Sequence, residues 1–204
     1  MKLIGLTGGI ASGKSTAGKM LGKAGVAVVD ADVLARDAVA PGSSGLAAIV
    51  ARFGPGVLGD DGTLDRKQLG SIVFGNDEAR RALNAIVHPE VARLAAERLE
   101  ELRSKDVDVA VYEVPLLFEN GLEAAMDATI LVACSDEVQL RRTMQRDQLD
   151  EAAARARMAS QMPLEQKRKR ASVVVENDGS LAELAAAVEA AFFAVTGRRV
   201  SLSA

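Results

Sequence analysis

Gly8-x-x-x-x-Gly13-Lys14-Ser15 lies within the stretch KLIGLTGGIASGKST, residues 2–16, and its spacing is that of a phosphate loop. A backbone that wraps a polyphosphate must turn its N–H groups inward, and glycines tolerate the dihedral angles this demands. A helix opening near Lys14 adds unpaired N–H groups and a partial positive charge at its start. Lys14 supplies a point charge for the β and γ phosphates. Ser15 offers a hydroxyl to Mg²⁺, an ion that otherwise keeps water and phosphate oxygens. The rival reading is a chance glycine turn. An apolar run just before the loop and a helical pattern just after it favour a nucleoside triphosphate as the expected ligand.

Carboxylates supply the next candidates. In VVDADVLAR (28–36), Asp30 and Asp32 fall at the carboxyl end of an apolar strand, the edge where open α/β sheets bind ligands. Two residues apart on an extended segment, they point the same way, so both can reach a cleft, or one can cap the helix that follows. A carboxylate there can take the proton of an acceptor hydroxyl and align it for attack. Glu113 closes VDVAVYE, where phosphate-loop enzymes keep an acidic residue for Mg²⁺, held directly or through water. Glu119 is similarly placed, with the start of a helix after the Pro-Leu-Leu turn as the alternative. A guanine-specific switch would carry Asn-Lys-x-Asp after a late strand, and the corresponding place reads VVVENDGS (173–180).

Other chemistry-bearing residues have simpler readings. His88, the only histidine, precedes Pro89 and is expected in the first turn of a helix. With no second histidine nearby it makes no metal site. Cys134 is the only cysteine, which excludes an intramolecular disulfide and suits a reducing compartment. EQKRKR (165–170) reads as a solvated helix face on which Lys167 is the residue able to face a cleft.

The elements that must position these residues alternate between strand and helix. KLIGL (2–6), VAVVD (26–30), VDVAVYEV (107–114), ATILVA (128–133) and SVVVE (172–176) are near-continuous apolar runs, the pattern of strands covered on both faces. Helical spacing fills 14–24, 90–105, 136–145 and 181–195. The expected fold class is α/β, a doubly wound five-stranded parallel sheet. Residues 32 to about 106 hold no convincing strand and break at APGSSG, FGPGVLGDDGTLD and GND, which suggests a helical insertion on the substrate side. A second, charge-dense helical insertion covers roughly 140–171. The 204 residues are 49% hydrophobic and 26% charged with a net charge of −3, enough for a real core and against a generic nucleic-acid coat. No run reaches the ~20 apolar residues of a membrane span, no signal peptide is evident, and a cytoplasmic location is expected. Nothing in the sequence calls for an obligate protein partner.

GLTGGIASGKS, DAD followed by Arg36, HPEV (88–91), VPLLFE (114–119), RRTMQRD (141–147) and ENDGS (176–180), in that order, resemble dephospho-coenzyme A kinase. The resemblance runs from about residue 2 to 180. It implies ATP as phosphoryl donor with Mg²⁺, and dephospho-coenzyme A as the small-molecule acceptor at its ribose 3′-hydroxyl. It also implies a nucleotide-kinase-like fold of the phosphate-loop nucleoside triphosphate hydrolase type. Within a single kinase domain, 1–31, 106–139 and 171–204 would form the core, 32–105 the coenzyme A side and 140–170 a lid. By position, Asp32 would be the general base, with Arg36, His88 and Leu116 on the acceptor. Thr7, Gly8, Gly9 and Ala11, Ser12, Gly13, Lys14, Ser15, Thr16 would surround the phosphates. Arg142, with Arg141 or Arg146 as alternatives, would reach the transferring oxygens, and Asn177 would lie against the adenine. The family often has Asp at the position of Glu113, so the extra methylene here favours a water-mediated metal contact.

Overall fold

The computed structural model of the chain describes residues 1–203. Five strands form one sheet: β1 (Lys2–Gly8), β2 (Ala27–Asp30), β3 (Val109–Glu113), β4 (Ala128–Ala133) and β5 (Val173–Glu176). Their order is β2-β3-β1-β4-β5, and the β1–β3, β1–β4 and β4–β5 pairings are parallel. All five expected strands form, with ends within about two residues of the expected ones. The register sets Leu6 beside Glu113 on one side and Ile130 on the other. Chain order reverses across β1, so the loop after β1 opens at the switch point where such sheets bind ligands.

The chain forms two compact units, residues 1–29 with 102–204, and residues 30–101. In the first, α1 (Lys14–Lys23) and α9 (Leu181–Thr196) contribute Leu21, Leu184, Val188 and Phe192 to a core with Ile4, Leu6, Val111, Ile130 and Val132 from the strands. Each of these large side chains is 2% exposed or less and stabilises the fold by roughly 1.5–3 kcal/mol. Helix α9 starts on a capping box, in which Ser180 and Glu183 exchange side-chain and backbone bonds. Between β4 and β5 run α6 (Asp136–Asp147), α7 (Glu151–Ala159) and α8 (Leu164–Arg170). Ser135 caps α6 and Asp150 caps α7.

In the second unit α2 (Ala31–Asp37), α3 (Ser44–Phe53), α4 (Arg66–Val73) and the first part of α5 (Asp77–Ser104) surround Val39, Ile49, Val57 and Leu69. Helix α5 corrects one expectation: it starts at Asp77 rather than near residue 90, so His88 and Pro89 lie mid-helix and His88 is exposed. A proline inside a helix removes one hydrogen bond at a cost of about 3 kcal/mol. Leu83, Ile86, Val87, Val91 and Leu94 pack onto the unit's core from both sides of Pro89, and that burial outweighs the lost bond. Among the described residues no helix is long and apolar enough to cross a membrane.

Candidate active site

The phosphate loop leaves the buried end of β1 and feeds α1. Gly13, the residue before the helix, has φ of 101°, and a side chain there would also collide with Asn177 Nδ2. Glycine is therefore required at this position. Ala11 sits at φ 55°, also left-handed, without that freedom. The amides of Ala11, Gly13, Lys14 and Ser15 have no backbone acceptor among the described residues. Such a set of donors at a helix start suits an anion.

Lys14 emerges from the first turn of α1, and its Nζ lies 2.6 Å from Glu113 Oε1 at the end of β3. Both side chains are buried. Gly18, one turn after Lys14, makes room for this carboxylate, since a Cβ there would strike Glu113 Oε2. Ser15 is exposed, and its hydroxyl together with the Glu113 carboxylate provides hard oxygen donors of the kind Mg²⁺ takes. Because Glu113 is engaged by Lys14, Ser15 is the group that fits direct ligation, and Glu113 fits a contact through water.

Asn177, after β5, ties the loop down: its Nδ2 donates to Ser12 O at 2.7 Å. Its own carbonyl accepts from Arg142 Nη1 at 2.7 Å. Arg142, Asn177, Ala11, Gly13 and Thr16 line a cleft of about 440 Å³ together with Gly179, Ser180, Leu181 and Leu184. A cleft lined by leucine side chains and one guanidinium suits a flat aromatic base. Asp178, next in the chain, accepts from the backbone N–H and hydroxyl of Ser135. These bonds hold its carboxyl below the usual carboxylate range. The same contact ties the start of α6, which carries Arg142, to the β5 loop.

The remaining candidates are distributed as follows. Thr7, fully buried, donates to Pro115 O at 3.3 Å. Gly8 and Gly9 form the entry of the loop, and Leu116 is 37% exposed on the turn after β3. Arg146 is exposed and paired with Asp147, which also binds Arg157. Asp32, Arg36 and His88 belong to the second unit and are all exposed. The extended Asp30–Asp32 geometry is corrected: the chain turns helical at Ala31, and Asp30 Oδ1 accepts the Asp32 N–H at 2.8 Å as the N-cap of α2. An Asp at that position satisfies a helix donor that a continued strand would leave unpaired.

Two further expectations change. Glu119 starts no helix, and its Oε1 lies 2.8 Å from Nζ of Lys167, which is fully buried rather than on a solvated face. Burial of a lysine demands a carboxylate partner, and Glu119 is that partner. Cys134 is buried, which pushes its thiol up to about 11 and makes it a packing residue. Residues that bear on the site without having been singled out are Gly18, Gln139 and Gln161. Gly18 had a signal, its spacing of one helical turn from Lys14. The glutamines had none, since each reaches the loop across more than a hundred residues.

Comparison with known proteins agrees with this geometry. A family model described as dephospho-CoA kinase matches residues 2–183. A dephospho-CoA kinase from Geobacter sulfurreducens is 50% identical over 189 residues, covering 93% of this chain and 96% of its own. Among solved structures, the Thermus thermophilus protein TT1252 superposes with a TM-score of 0.79 at 41% identity, covering 96% of this chain and 98% of its own. Dephospho-CoA kinase from Campylobacter jejuni gives a TM-score of 0.69 at 29% identity, covering 97% and 98%. A likeness that takes in the phosphate loop, Glu113 and the β5 loop at this identity leaves one assignment, and the chain belongs to the dephospho-CoA kinase family.

Proposed function

We propose that the protein transfers the γ-phosphoryl group of ATP to the ribose 3′-hydroxyl of dephospho-coenzyme A, giving coenzyme A and ADP. The observation that carries the reading is the set of loop amides without acceptors, beside Lys14 and at the edge of the 440 Å³ cleft. The polyphosphate lies along those amides, and the adenine fills the cleft beside Arg142 and Asn177. Lys14 turns from Glu113 to the β and γ oxygens, exchanging one carboxylate for the more strongly charged phosphates. Mg²⁺, when bound beside Ser15, supplies charge neutralisation between the β and γ phosphates.

Asp32 accepts the proton of the acceptor hydroxyl as its oxygen forms the new bond to Pγ and the bond from Pγ to the β-phosphate oxygen breaks. ADP carries away that electron pair. With Arg142 at the adenine end, Arg146 or Arg141 on the same helix meets the charge spread over the equatorial oxygens, for which a planar, permanently charged guanidinium is suited. Arg36, His88 and Leu116 contact the acceptor, and residues 140–170 act as a lid that keeps water from the γ-phosphate. In this reading the protein works in the cytoplasm.

The test is ADP release from ATP and Mg²⁺ with dephospho-coenzyme A, AMP, adenosine, shikimate or gluconate offered separately. Release that depends on dephospho-coenzyme A and yields coenzyme A is the expected result. Turnover with another acceptor alone would overturn the substrate, and ATP binding without any turnover would overturn the kinase.

A further inference from the structure

We infer that Gln139 and Gln161 are positioning residues for the phosphate loop, holding the two peptides of Ile10 so that the Ala11 amide is presented to the nucleotide. The Ile10 carbonyl accepts from Gln139 Nε2 at 2.9 Å, and the Ile10 N–H donates to Gln161 Oε1 at 3.1 Å. Both bonds come from the segment between β4 and β5, Gln139 from α6 and Gln161 from the turn between α7 and α8.

The planarity of the peptide turns these contacts into an effect on the anion site. In a trans peptide the carbonyl of one residue and the N–H of the next point in opposite directions. By drawing the Ile10 carbonyl toward α6, Gln139 turns the Ala11 N–H away from α6. That amide has no protein acceptor among the described residues, and Ala11 lines the nucleotide cleft. In the same way, Gln161 draws the Ile10 N–H outward and leaves the Gly9 carbonyl facing back into the loop, where it accepts the Ser12 N–H at 3.2 Å. The left-handed φ of 55° at Ala11 is the strained product of this arrangement. A loop held only by its own bonds would relax it.

Gln161 is itself held in place. The next residue, Met162, donates its N–H to Glu119 Oε1 at 3.0 Å, and the same oxygen faces Lys167 Nζ. Lys167 on α8 and Glu119 on the turn after β3 thereby fix the turn that carries Gln161. The buried pair thus has a role beyond packing: it fixes the segment that reads the loop.

This rests on the proposed nucleotide site, but its test reads ATP binding and needs no acceptor. Gln139→Met and Gln161→Met keep the side-chain length and delete one hydrogen bond each. Each is expected to weaken ATP binding, measured by titration calorimetry, by roughly 3- to 10-fold. In steady-state assays KM for ATP should rise by a similar factor with KM for dephospho-coenzyme A unchanged. In amide hydrogen exchange of the unliganded protein, Gln161→Met should speed exchange at Ile10, whereas Gln161→Glu, which keeps an acceptor, should restore protection there. Gln161 is half-buried, so its variant decides the matter even where Gln139→Met lowers folding yield. ATP affinity within about twofold of wild type, unchanged exchange at Ile10, or a parallel rise of KM for both substrates would each overturn the inference. ATP binding by a wild-type protein that leaves dephospho-coenzyme A untouched would instead overturn the acceptor assignment.

Discussion

Lys14 Nζ rests 2.6 Å from Glu113 Oε1, with side-chain exposures of 9% and 4%. The lysine proposed to serve the phosphates therefore has an internal counter-charge. Removing one member of a buried pair leaves the other uncompensated, which costs about 3–5 kcal/mol. Glu113→Ala is expected to lose that much stability in urea unfolding, and saturating ATP should recover more stability for the variant than for wild type, because the phosphates replace the lost partner. Equal stabilisation of both proteins by ATP would show that Lys14 does not exchange partners. Lys14→Ala should lower kcat/KM by roughly 10²- to 10³-fold, the range for losing one charge-stabilising donor.

Gly18 sits under the Glu113 carboxylate, where a methyl group would strike Oε2. Alanine stabilises a helix interior by about 1 kcal/mol relative to glycine. Gly18→Ala should forfeit that gain by displacing Glu113 and, with it, Lys14. The expected outcome is a kcat reduced by roughly tenfold in coupled-assay kinetics, an effect of about 1.4 kcal/mol on the barrier. A variant that is both more stable and fully active would mean that Glu113 has room to shift without consequence.

The Asp178 contact to Ser135 gives a pH dependence with a defined sign. Its folded-state pKa is lowered, first by the Ser135 backbone N–H and then by the Ser135 hydroxyl. The unfolded chain has an ordinary Asp near 3.9. The contribution is therefore complete above about pH 4 and fades as the pH falls through the lower folded value. Asp178→Ala should melt a few degrees below wild type at pH 7, with the gap closing as the pH falls below about 4. A gap that is constant across this range would assign the effect to the loop backbone instead.

Strands and phosphate loop were legible because their signals are local: apolar runs of five to eight residues, and glycines at fixed offsets from Lys14. The helix ends were less so. Asp30 as a cap and the start of α5 at Asp77 both depend on where a donor finds its acceptor, and Pro89 disguised a helix that the core of its unit holds together. Lys167 looked solvated amid EQKRKR because only the folded chain brings Glu119 to it, from 48 positions earlier in the sequence. Long-range polar pairing of this kind leaves no periodicity to read.

Asp32 separates chemistry from binding most cleanly. Its backbone N–H is held by Asp30 Oδ1, while its carboxylate is exposed in the first turn of α2. Asp32→Asn keeps size and the backbone bond but removes the basic oxygen. Loss of a general base typically lowers turnover by 10²- to 10⁴-fold, so kcat should fall by about that much while the ATP dissociation constant stays within about twofold. Asp30→Ala has the opposite profile. It deletes the cap at a cost of about 1 kcal/mol in folding stability and leaves the carboxylate of Asp32 in place. Measuring kcat, ATP affinity and urea unfolding for the two variants side by side distinguishes the roles. Full transfer activity in Asp32→Asn would remove Asp32 from the proton transfer, and the base would then have to be sought elsewhere in the chain.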